Sequence, residues 1–338
     1  MTRSIGINIL RLLTALSVLF THFGLPVGGL YTIILNYHSF IKVIFWSNKG
    51  LHFGVIIFVV LSGFLIHATS QKLGKIEYLL KRFIRIYPLF FISSIVGLLS
   101  SNKCEYSTFF YNVTLLSAVI PFDRPPGNPI LITVIVEMVI YMCYLFLRNY
   151  NTYNVLFCLF IAYIFNIFLY SLLGVGSEFI QRNLFSLLFY WYIGASSFEY
   201  FIKNNNVLKL KNVILLFVFY VLISNFFYFK GVHYLYSIIL AVISSFTVAI
   251  IYRLDIRRIY SNSIFIKVVN FLGESSYSIY VWHIIIMDSV LKYFIVWNTK
   301  SYIISILITL ITASLSYIFI EKFFMNKKKW LEDFLFSS

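Results

Sequence analysis

The sequence predicts an all-α, polytopic membrane bundle of about ten transmembrane helices, with both termini in the cytoplasm. Three observations lead there. Of 338 residues, 60% are hydrophobic and only 12% charged, and the mean hydropathy is +0.88. A water-soluble surface needs far more charge than that. The apolar residues also gather in runs of transmembrane length, separated by short polar breaks. Finally, Lys and Arg concentrate in alternate breaks, as the positive-inside rule requires.

The apolar runs give ten spans, at roughly 5–24, 51–70, 86–101, 130–148, 154–173, 183–201, 209–229, 233–252, 275–296 and 301–323. The first ends where Gly24 and Pro26 interrupt the helical pattern. It does not read as a cleavable signal peptide, because no small-x-small site follows and Arg11 and His22 break its apolar core. A shorter apolar piece, 109–120, reads as a re-entrant or interfacial segment. With the N-terminus inside, 19 of the 27 Lys and Arg residues fall on the cytoplasmic side. The net charge of +15 therefore reports topology, and nucleic acid is not expected as a partner. Cys104, Cys143 and Cys158 are odd in number and scattered, which points to neither a disulfide framework nor a metal site. No loop is long enough for a soluble domain, so residues 1–338 are expected to form one membrane domain.

The informative residues are polar groups inside apolar runs, where ionisable side chains are costly. Arg11 and His22 lie about three turns apart on one face of the first span, about 16 Å along its axis. Arg11 can anchor the span by snorkelling or contact an anion. His22, at the outer end, is an interfacial residue or a general base, since imidazole titrates near neutral pH. Ser62-Gly63 allows close helix packing, or close approach of a ligand to the backbone. Lys81, Arg82 and Arg85 form a cationic group in the loop before Pro88, which is expected in the first turn of the third span. That group either anchors the loop or binds a phosphorylated cytosolic ligand. Glu137, with Tyr141 at i+4, needs a histidine, an arginine or its own proton as partner. A Glu137–His22 pair would hold one imidazole tautomer. His283 is placed too deep to join His22 and is expected to pack in the core, and Glu321 is expected in an interfacial ion pair.

In order along the chain, these motifs resemble the acyltransferase-3 family of integral membrane acyltransferases. Arg11-x10-His22 is similar to the first-helix signature. Gly54-Val55-x-Ile57-Phe58-Val59-x-Leu61-Ser62-Gly63-Phe64 resembles GVxxFFxLSGF, with Val59 in place of the second Phe. Arg82-x-x-Arg85-Ile86-Tyr87-Pro88 resembles RxxRIYP, and Glu137-x3-Tyr141 resembles the ExxxY part of the family's Glu motif. The Trp that normally precedes that motif is replaced by the stretch Asn128-Pro129-Ile130-Leu131. Leu272-Gly273-x-x-Ser276-Tyr277-Ser278-x-Tyr280-x-x-His283 resembles LGxxSYxxYxxH, and Glu321 holds the late glutamate position.

The resemblance implies a single membrane acyltransferase domain over 1–338, without the extracytoplasmic hydrolase-like domain fused to some members. It implies an O-acyltransferase of the bacterial inner membrane, multi-pass, of the O-antigen or exopolysaccharide type. The acyl donor would be cytosolic acyl-CoA, acetyl-CoA first, as a substrate, with no cofactor and no metal. The acceptor would be a hydroxyl of a cell-surface polysaccharide such as O-antigen in lipopolysaccharide, or its lipid-linked precursor, in contact with membrane lipids. His22 and Glu137 would be catalytic, with Arg11, Arg82, Arg85, Ser62, Gly63 and Tyr141 binding acyl-CoA or substrate. Histidine can act as a base or carry the acyl group itself, and both routes fit. A separate extracytoplasmic transferase can also be accommodated. The competing reading is a lipid-linked glycan flippase or O-antigen polymerase, which also keeps ionisable groups within helices.

Overall fold

The computed structural model describes residues 4–23, 52–71, 73–101, 106–118, 125–174, 177–205, 233–253, 264–293 and 299–327, with a few isolated positions between them. Among these the ordered elements are all helical. They are α1 (Ile5–Phe23), α2 (Phe53–Ser70), α3 (Lys75–Ser100), α4 (Tyr106–Val113), α5 (Leu131–Leu147) and α6 (Thr152–Leu172). After these come α7 (Ser177–Arg182), α8 (Leu184–Ser197), α9 (His233–Arg253), α10 (Ile264–Glu274), α11 (Ser276–Tyr293) and α12 (Thr299–Ser316). α8 and α12 each end in a π-helical turn, Phe198–Lys203 and Tyr317–Glu321. Among the described residues, five helices are long and apolar enough to cross a membrane, and Ile5–Phe20 and Leu131–Leu147 are shorter apolar helices. The expected span 209–229 lies outside the described residues except for three isolated positions.

Local chemistry sets several boundaries. Asn151 caps α6 by accepting from the backbone N–H of Tyr153 and Asn154, and Asn183 caps α8 by accepting from Ser186 N–H. Amide side chains at these positions satisfy donors that a helix start leaves open. At α3 the expectation of a loop up to Pro88 is corrected. The helix begins at Lys75 and runs through Pro88, so Lys81, Arg82 and Arg85 sit on a continuous helix. Proline costs an internal helix one hydrogen bond, and membrane helices tolerate this when neighbours satisfy the freed backbone. The carbonyl that loses its donor at Pro88 is that of Ile84. Tyr277 Oη donates nearby, to Ile86 O at 3.0 Å, and so anchors this stretch of α3 to α11.

The chain divides into two compact units. The first holds α1 up to Thr21, α2, and α6 through α10 up to Gly273. At its centre α2 packs against α8 with the two backbones almost touching. A Cβ on Gly63 would lie 1.9 Å from Trp191 O, and one on Gly194 would lie 2.0 Å from Val60 O. Small residues of this kind let membrane helices gain van der Waals contact where lipid leaves little hydrophobic drive. Ile7, Leu61, Phe64, Phe201, Val248 and Ala249 form the adjoining apolar core. Asn8 Nδ2 donates to Asn270 Oδ1 at 2.9 Å, tying α1 to α10. α6 keeps most of its surface outward, with Phe157, Phe160, Ile161, Ile164, Phe165 and Phe168 exposed, as a lipid-facing helix would.

The second unit holds the last turn of α1 from His22, then α3, α4, α5 to Phe146, α11 and α12. Within it α11 packs against both α12 and α3. The 3-10 turn Leu116–Ala118 follows α4, so residues 109–118 of the short apolar piece 109–120 form short helical turns rather than a span.

Candidate active site

The polar residues of α11 organise the second unit, each spaced to meet a different neighbour. Ser278 Oγ donates to Glu321 Oε1 at 2.5 Å. Thr133 Oγ1 and Tyr280 Oη are hydrogen bonded at 2.6 Å, linking α5 to α11. Asn128 Nδ2 donates to Val281 O at 2.9 Å from a fully buried position. Asn128 thus tethers the segment that holds Asn-Pro-Ile-Leu where a Trp was expected.

His283 is fully buried, and its Nδ1 lies 2.7 Å from Tyr280 O. A carbonyl only accepts, so Nδ1 carries the proton, and in the neutral ring Nε2 keeps its lone pair. The ring of His22, itself exposed in the last turn of α1, sits beside it, centroid to centroid 5.2 Å and tilted by 45°. The expectation that His283 is too deep to meet His22 is therefore corrected. Hydropathy sets the length of a span, but neither its tilt nor its vertical offset. Depths counted from span ends do not transfer between helices.

A second group surrounds Arg82. Its guanidinium carbon lies 5.9 Å from the centroid of the Tyr78 ring, a cation–π distance. Tyr141 and Glu137 on α5, and Arg85 one turn on, lie within its electrostatic reach. Tyr141 Oη donates to Glu137 Oε1, the i+4 pairing that the helix period dictates. Tyr277 on α11 is within reach of Glu137, Tyr141 and Glu321, which continues the polar interior towards the other α11 contacts. Glu137 is thus hydrogen bonded to Tyr141 and lies within electrostatic reach of Arg82. Lys81 pairs with Glu77 on the same helix.

Arg11, Ser62 and Gly63 belong to the first unit, where Arg11 and Ser62 are half-buried. The Cβ direction of Gly63 is filled by the Trp191 carbonyl, which accounts for a glycine there by packing alone. Glu321 is corrected from an interfacial ion pair. It is 1% exposed and held by Ser278, because the π-helical turn Tyr317–Glu321 directs it inward.

Sequence reasoning also passed over His67 and Glu199 in the first unit, joined at 2.8 Å from His67 Nε2 to Glu199 Oε1. Gln71 Nε2 donates to the same oxygen at 2.9 Å, and Lys203 Nζ lies 2.8 Å from Glu199 Oε2. The available signal was two polar residues inside apolar runs, at the matching ends of the second and sixth spans. Among the described residues no group of three His, Cys, Asp or Glu side chains is placed to hold a metal.

A family model described as an acyltransferase domain, that of acyltransferase-3, matches residues 4–321. The chain belongs to the acyltransferase-3 family. The match runs from before Arg11 to Glu321, across both units, and takes in every polar group described above. The protein is accordingly a multi-pass membrane acyltransferase. No curated protein and no solved structure matches it. Within the second unit of this acyltransferase-3 protein, five of the motif residues fall into two groups, His22 with His283 and Arg82 with Glu137 and Tyr141.

Proposed function

We propose that this acyltransferase moves an acetyl group from cytosolic acetyl-CoA to a hydroxyl of a cell-surface polysaccharide, such as O-antigen or its lipid-linked precursor. The enzyme would act in the bacterial inner membrane, in a bundle of about ten spans with both termini cytoplasmic. The observation that carries the reading is the His22–His283 ring contact, with His283 held in one tautomer by Tyr280. A pre-set imidazole beside an exposed histidine is an arrangement suited to directing proton transfer.

In the direct route, His22 takes the proton of the acceptor hydroxyl as its oxygen attacks the thioester carbonyl. The tetrahedral adduct then collapses, the carbon–sulfur bond breaks, and the proton passes to the leaving CoA thiolate. In the two-step route, the imidazole nitrogen attacks the thioester carbonyl and the carbon–sulfur bond breaks, the CoA thiolate taking the imidazole proton. The acceptor hydroxyl then attacks the acyl-histidine, the carbon–nitrogen bond breaks, and the hydroxyl proton passes to the freed imidazole. His283, with Nδ1–H committed to Tyr280, keeps Nε2 as an acceptor beside the His22 ring. Arg82 and Arg85 hold the phosphates of the donor, because a guanidinium fork pairs with phosphate oxygens in two-point contacts. Arg11, half-buried in the first unit, is a further cation able to contact an anion. Glu137 and Tyr141 keep Arg82 oriented, so Glu137 acts on the donor side. A separate extracytoplasmic transferase is compatible with this scheme as the final acceptor of the acyl group.

The test uses purified protein in liposomes with acetyl-CoA and an acceptor glycan. Wild type should release CoA thiol in step with O-acetyl ester, and His22→Ala should lose roughly 10²–10⁴-fold in rate. Turnover by His22→Ala at the wild-type rate would remove His22 from the chemistry.

A further inference from the structure

A cavity of about 370 Å³ lies in the first unit, among residues that the acyl-transfer scheme does not use. Gln71 at the end of α2, Arg148 and Asn149 in the turn before α6, Tyr153 in the first turn of α6, and Glu199 and Lys203 in the π-helical turn after α8 contribute to its wall. Two cations and one carboxylate face it, for a net charge of +1. The carboxylate is already committed, since Glu199 is held by His67, Gln71 and Lys203 at 2.8–2.9 Å. A cation would meet a neutralised carboxylate there, whereas an anion would meet Arg148, with Arg148 Nη1 3.4 Å from Ser70 O, and the half-exposed Lys203. The first backbone donors of α6 are taken by the Asn151 cap, so the side chains supply the recognition.

The surroundings identify the kind of anion. Tyr150 is 68% and Tyr153 41% exposed at the cavity, and beyond them α6 turns Phe157, Phe160, Ile161 and Ile164 outward. Polar, cationic groups thus sit at one end of an exposed apolar stripe of membrane length. An amphiphile with a phosphate head in the cavity and acyl chains along α6 would satisfy both surfaces at once. Basic pockets between transmembrane helices recognise anionic lipid heads in this way, and tyrosines favour the headgroup level. The volume also falls in the range of small-ligand sites.

We propose that this cavity is a binding site for the phosphate headgroup of an anionic phospholipid. The loops carrying Arg148 and Lys203 are the ones the charge distribution assigns to the cytoplasm, so the lipid belongs to the inner leaflet.

The full-length protein would be titrated with phosphatidylglycerol in detergent and bound lipid counted by native mass spectrometry. Phosphatidylcholine and inorganic phosphate serve as separate probes. Wild type should retain phosphatidylglycerol well above phosphatidylcholine. The double variant Arg148→Gln/Lys203→Gln should weaken that retention roughly thirty-fold, as loss of two basic contacts implies. A Lys211→Gln variant, outside the cavity, should bind as wild type does. Equal retention of the two lipids, or unchanged retention in the double variant, overturns the proposal. Displacement of phosphatidylglycerol by millimolar inorganic phosphate would assign the cavity to a soluble anion and overturn the lipid. Because the readout is lipid retention, its failure leaves the acyl-transfer assay of His22 untouched.

Discussion

At the residue scale the account rests on how each costly polar group is compensated. His22 gains a neighbour in His283, whose tautomer is set by a single backbone carbonyl. His283→Gln should therefore lower kcat by more than it raises KM, because it removes a partner of the base and not a contact to either substrate. An equal effect on both constants, measured with acetyl-CoA in liposomes, would instead place His283 in substrate binding. Arg85 makes a separable prediction. Arg85→Ala should weaken acetyl-CoA binding by roughly ten-fold or more, as loss of a charge-assisted contact to phosphate implies. Unchanged donor affinity by calorimetry would remove it from the donor site. Ser278→Ala takes a hydrogen bond from the buried Glu321 and should cost about 1–3 kcal/mol, read by thermal unfolding in detergent. Arg11, His22 and Glu137 stand out in sequence because charge inside an apolar run is rare. The meeting of His22 with His283 does not, since it depends on helix offsets that hydropathy leaves free.

At the scale of elements, the helices near 51–70, 130–148, 154–173, 233–252 and 275–296 follow the apolar runs closely, because lipid demands internally bonded backbone over whole spans. The third span differs. A basic, proline-containing stretch reads as a loop followed by a helix start, yet α3 continues through Pro88. Sequence pattern alone does not reveal that Tyr277 from α11 reaches the neighbouring carbonyl of Ile86. The α2–α8 contact is half legible: Ser62-Gly63 marks a packing site, but its partner at Gly194 emerges only from the fold. Gly63→Ala would push a methyl into the Trp191 carbonyl and should destabilise the protein by about 3 kcal/mol or more. A thermal midpoint equal to wild type would show that α2 and α8 do not pack this closely.

Across the whole molecule, composition and charge distribution suffice to place the chain in a membrane, and the family match over 4–321 makes it an acyltransferase. The proposed topology carries its own consequence. A reporter fused to either terminus should be active only in the cytoplasm, and a reporter exported at either end would reverse the donor side assigned to Arg82 and Arg85. The cavity beside Arg148 and Lys203 was invisible in the sequence, because its residues come from three distant segments that only packing assembles. The most direct test is NMR of the surface glycan from cells lacking this protein, complemented with wild type or with His22→Ala. Wild type should restore O-acetyl signals and His22→Ala should not, with glycan chain length equal in both. O-acetylation retained with His22→Ala, or altered chain length with unchanged acetylation, would contradict it.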